Sequence, residues 1–64
     1  MEPHQQRVVA EKSELDKKLT ALADFIVSNP VFAGLPEAER ERLVRQKSCM
    51  AEYSKILGER IDAF

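Results

Sequence analysis

The apolar positions of this chain repeat with the period of a helix. Val8, Leu15 and Leu22 recur every seven residues, and Leu19 and Ile26 form a second row beside them. That is the stripe of a helix that packs lengthwise against other helices. Phe25 widens the stripe toward its C-terminal end. In a second stripe Leu43, Met50, Leu57 and Phe64 are again seven apart, and Ile61 falls between the last two. Between the stripes stands Asn29-Pro30, which stops a helix because the residue before proline disfavours the helical region. The pattern predicts a first helix over about residues 2–28, a turn over about 29–35 and a second helix over about 36–63.

Local signals agree with these limits. Pro3 suits a first helical turn, and Pro36 opens the second helix with Glu37 and Glu39 behind it, negative charge at the positive end of the dipole. Gly34 would permit a tight reversal. Val31, Phe32 and Leu35 are too apolar for a free loop and are expected to cap the bundle end, as a single turn of helix. Each helix would be roughly 40 Å long. Matching lengths and a short turn make an all-α antiparallel hairpin. It would bring Arg7 and Glu11 toward Leu57 and Arg60, and set Tyr53 opposite Ser13 to Lys17.

The second stripe is wider than one partner helix covers, since Tyr53, Ile56, Val44 and Cys49 flank it. At 64 residues the chain is near the lower size limit for folding unaided. A lone cysteine, Cys49, excludes an internal disulfide, and one Cys with one His cannot make a zinc site. Assembly of several copies is the remaining way to complete a core, so the expected architecture is a homo-oligomeric helical bundle.

Charge narrows the choice of function. Charged residues are 33% of the chain, 10 basic against 11 acidic, with the signs interspersed. This argues against binding a DNA or RNA polymer through bulk charge. Apolar runs of only a few residues and an N-terminus without a signal-peptide layout predict a soluble, cytoplasmic protein with no membrane association. No Gly-rich phosphate loop or metal-ligand spacing occurs, so neither cofactor nor metal is expected. His4 is the only histidine and has no nucleophile placed to act with it, so an enzyme is not expected. Cys49 reads as a small buried hydrophobe, and Glu41 with Arg45 as an ordinary i,i+4 pair.

Two or three guanidinium groups can hold a small anion even on a neutral protein, and Arg7 and Arg60 are the candidates, from opposite helices at the polar end. The alternative is that Arg7 pairs with Glu11, and Arg60 with Glu59 or an acidic neighbour on the other helix. Gln46 and Tyr53 add polar and aromatic side chains seven apart on one face of the second helix. Tyr53 could stack on a base, or pack in the bundle with its hydroxyl at the rim.

Three segments carry a family resemblance: His4-Gln5-Gln6-Arg7-Val8-Val9 followed by Glu11-Lys12; Phe25-Ile26 ahead of Asn29-Pro30; and Gln46…Met50…Tyr53-Ser54…Leu57…Arg60-Ile61. Together they resemble a family of very small phage proteins named after a crAss-like phage gene product. That family is in turn similar in size and hairpin layout to the anti-CBASS and anti-Thoeris sponges, phage anti-defence proteins that sequester cyclic oligonucleotide signals. The resemblance implies a homo-oligomer in the cytoplasm of an infected bacterial host, whose intersubunit pockets bind a cyclic di- or trinucleotide without cleaving it. Arg7 and Arg60 would then contact phosphates, while His4, Gln46 and Tyr53 would meet bases or ribose. Two other readings are open, a small interaction module that inhibits or scaffolds a host or phage protein, and a structural component of the virion.

Overall fold

A computed structural model describes residues Met1–Phe64 and contains helices and no strands. Helix α1 spans Pro3–Ser28, the single turn α2 spans Pro30–Ala33, and α3 spans Glu37–Asp62. The molecule measures 46 × 15 × 13 Å, a rod whose length is set by its two 26-residue helices.

The helix ends follow from side-chain chemistry. At the start of α1 the free backbone N–H of Glu2 donates to Gln5 Oε1 at 2.9 Å, with Pro3 filling the first helical position. At its end Asn29 turns extended (φ −89°, ψ 122°) ahead of Pro30 while its N–H still donates to the Phe25 carbonyl. The Asn29 side chain also accepts from the Val31 N–H at 2.9 Å, so one residue closes α1 and caps α2. Arg40 ties the following loop down, its Nε donating to the Leu35 carbonyl at 3.1 Å.

The turn departs from expectation at two residues, Gly34 and Val31. Gly34 has φ −87°, a conformation open to any residue, and a Cβ there would meet the Val31 carbonyl oxygen at an ordinary 3.6 Å. The chain reverses through the α2 turn and the extended Asn29 and Pro36 on either side of it, so glycine's left-handed freedom is not used. Of the three apolar turn residues, Phe32 and Leu35 are half-buried, but Val31 is 59% exposed. Phe32 meets the edge of Phe25 with ring centroids 6.1 Å apart, which closes that end of the rod without Val31.

Helices α1 and α3 lie side by side along their length. Asp16 touches Ser54, Lys12 lies against Gly58, and Val9 shares a groove with Ile61, so each advance along one helix is a retreat along the other and the two run antiparallel. The seam takes Val8, Leu15, Leu19, Leu22 and Ile26 from α1 and Leu43, Met50, Leu57 and Ile61 from α3, all buried or half-buried. Only Val8 and Leu57 among the apolar residues are fully buried. Phe64, the last residue of the seven-spaced row, lies beyond the end of α3 at Asp62, where the helical row no longer directs its side chain into the seam, and is 45% exposed. Cys49 is exposed rather than buried, because it sits about a quarter-turn around α3 from the seam.

A polar layer and the candidate ligand-binding face

Polar residues interrupt the seam at one level. Ser54 occupies the same heptad row as Lys47 and Ile61 and is buried. Its hydroxyl donates to Asp16 Oδ1, the one hydrogen bond in the molecule that crosses between the helices. Lys12 Nζ donates to the other carboxylate oxygen, Asp16 Oδ2, at 2.7 Å. These two donors, Lys12 first, hold the Asp16 carboxyl below its ordinary value of 3.8 by stabilising the anion. Gly58 leaves room for the lysine stem, since a Cβ there would lie 3.3 Å from Lys12 Cε. Heptad periodicity by itself gives Asp16, Lys12 and Ser54 no joint role in the seam. The available signal was a charged residue, Lys12, and a hydroxyl, Ser54, on rows that also carry Leu19, Ile26 and Ile61.

The polar layer also establishes which sides of the two helices share a face. At about 100° per residue, Asp16 and Gly58 project to the same flank of the seam, together with Val9 and Val44. The opposite flank therefore carries His4, Arg7, Glu11 and Lys18 from α1, and Gln46, Tyr53 and Arg60 from α3. All five candidate residues, His4, Arg7, Gln46, Tyr53 and Arg60, lie on this second face and all are exposed.

Sharing a face does not bring the five into one pocket. From the Asp16–Ser54 register, Arg7 and Arg60 sit within about one helical turn of each other along the rod, and Tyr53 about 10 Å from Arg60. Gln46 is roughly 21 Å from Arg60 along α3, and His4 roughly 30 Å from the level of Gln46. None of the five lines any of the molecule's three surface grooves. Gln46 donates to Met50 Sδ at 3.8 Å, a contact within its own helix.

The two arginines are uncommitted within the chain. The ion pairs are Lys12–Asp16, Glu14–Lys17 and Glu39–Arg42, so Arg7 is not paired with Glu11, nor Arg60 with Glu59. Glu41 and Arg45 likewise do not pair. Guanidinium groups exposed near one another at one end of a rod are able to receive an anion from outside.

A family model named Sequestin matches residues 2–63, nearly the whole chain. The chain belongs to the Sequestin family. Comparison with curated proteins and with solved structures found no match. The family's name denotes sequestration, which is binding that withholds a ligand, and it attaches to a match spanning both helices and the turn. No helix of this Sequestin-family chain is long and apolar enough to cross a membrane.

Proposed function

We propose that this Sequestin-family chain is a phage anti-defence protein that assembles as a homo-oligomer and sequesters a cyclic oligonucleotide immune signal of the bacterial host without cleaving it. The observation that carries the reading is the family match over residues 2–63. The unpaired Arg7 and Arg60 supply the chemistry, since a cyclic di- or trinucleotide presents its phosphates in a compact ring that guanidinium forks grip in bidentate fashion. Tyr53, 42% exposed on the same face, offers a surface for base stacking. The spread of His4, Gln46 and Tyr53 along the rod means that one chain presents too few groups at any one point. A complete pocket draws on more than one copy, and symmetry repeats each contact for each phosphate.

Calorimetry of the purified protein against a panel of cyclic di- and trinucleotides tests this, together with recovery of intact ligand on heating. We expect tight uptake of at least one ligand and its release unchanged. Replacing both arginines, Arg7→Ala with Arg60→Ala, is expected to leave helix content and oligomer mass as they are and to weaken binding at least about a hundredfold, by the loss of two charge-assisted contacts. No uptake of any ligand at micromolar protein, or hydrolysed product on release, would refute the proposal. Stoichiometric capture of a host protein in place of a nucleotide would favour the interaction module instead.

A further inference from the structure

A second seven-residue repeat runs along α3 beside the seam. Arg42, Gln46, Cys49, Tyr53, Ile56 and Arg60 follow one another at alternating intervals of four and three, the spacing by which the seam residues meet α1. Every one of them is exposed. A stripe of this spacing drifts by only about 20° per heptad, so over about 27 Å it keeps to one side of the helix and matches a second helix lying lengthwise upon it.

Its composition is that of an interface core. Lysine, aspartate and glutamate are absent from it, whereas tyrosine, arginine and isoleucine are present, and interface centres are depleted in the first group and enriched in tyrosine and arginine. The acidic residues of the middle and end of α3, Glu41, Glu52, Glu59 and Asp62, fall on other sides of the helix. On the opposite flank Val44 is ringed by charge, with Arg40, Glu41 and Lys47 three or four residues away.

The surface area points to a permanent cover. The chain exposes 4692 Å². A folded monomer of its 7.3 kDa mass would expose about 4,200 Å². With just two apolar side chains fully buried, the pair of helices is marginally stable by itself, and a cover that stabilises the fold serves best when it is present whenever the chain is. A second copy of the chain meets that condition.

We infer that the exposed α3 stripe from Arg42 to Arg60 is the homotypic interface, against which a second copy packs the same stripe. In its link to ligand this rests on the proposed function: Gln46, Tyr53 and Arg60 of both copies would line one junction, which makes the binding site a composite of two chains.

Cys49, the sole cysteine, lies mid-stripe and is exposed in the single chain, so its reactivity reports the cover directly. The experiment combines mass measurement by light scattering with the rate at which an aromatic disulfide reagent modifies Cys49. The native protein is expected to have the mass of two or more chains and to react about tenfold slower than the dissociated chain, with protection lost on dilution. Ile56→Glu on the stripe is expected to give helical 7.3 kDa monomers with a reactive thiol, while Val44→Glu on the opposite flank keeps the native mass and protection. Should Ile56→Glu fail to fold, the dilution dependence of Cys49 protection in the native protein still decides. A monomeric native protein, an oligomer with freely reactive Cys49, or dissociation caused by Val44→Glu would each overturn the inference. An assembled protein with protected Cys49 that takes up no nucleotide upholds the interface and refutes only the functional reading. Uptake by a protein with reactive Cys49 does the reverse.

Discussion

Asp16 stands where the two helices are joined by something other than apolar contact. It accepts from Ser54 across the seam and from Lys12 one turn before it, and both donors favour the carboxylate. Its pKa is lower folded than unfolded, so its contribution is complete above the ordinary value of 3.8 and fades as pH falls through the depressed folded value. Acid titration of helicity by circular dichroism should therefore show a loss in this window that is shallower in Asp16→Asn, because the amide does not titrate. Equal acid sensitivity of the two proteins would remove Asp16 from the account. Ser54 has a related part. A seven-residue slip of α3 along α1 would preserve most apolar matches, but it would take the hydroxyl away from its carboxylate.

At the scale of elements, the short α2 turn is held by a few identifiable bonds. Asn29 ends α1 by adopting extended geometry before proline and then caps α2 with its own side chain. Asn29→Ala keeps the first role, which proline imposes, and loses the second. It should cost about 1 kcal/mol, the usual value of an N-cap, read as a lower midpoint in urea unfolding with unchanged slope. An unchanged midpoint would show that the Phe25–Phe32 contact alone sets the turn. The helix boundaries were legible in advance because proline and asparagine act on the backbone locally. The path of the reversal was not, since Gly34 is permissive and does not itself choose a conformation.

For the whole molecule, stability rests on a narrow seam. Leu57, 1% exposed, is the most buried side chain. Leu57→Ala should cost about 2–5 kcal/mol, most of what a chain this small possesses, and leave it largely unfolded at room temperature. Ile56, its neighbour, is 46% exposed. In dilute solution Ile56→Ala should shift stability by no more than about 0.5 kcal/mol. Thermal melts at rising concentration should separate it from the native protein if a second copy covers the stripe, because association stabilises by mass action. A gap that stays constant with concentration would speak against that cover.

The residues that stop and start helices, and the seven-residue rows that face a partner, were readable from the chain by itself, because both depend on neighbours one to four positions away. So was the presence of more apolar surface on α3 than α1 covers, which follows from counting rows around one helix. The tertiary structure alone decided what depends on residues far apart in sequence. It set the register, which pairs Asp16 with Ser54 and makes a polar layer of residues that periodicity alone does not connect. By that register it placed His4, Arg7, Gln46, Tyr53 and Arg60 on one face but along roughly 30 Å of it. Periodicity reports direction around a helix, and only the pairing of two helices converts direction into distance, which is why residues grouped by the sequence became a face spread along the rod and not one pocket.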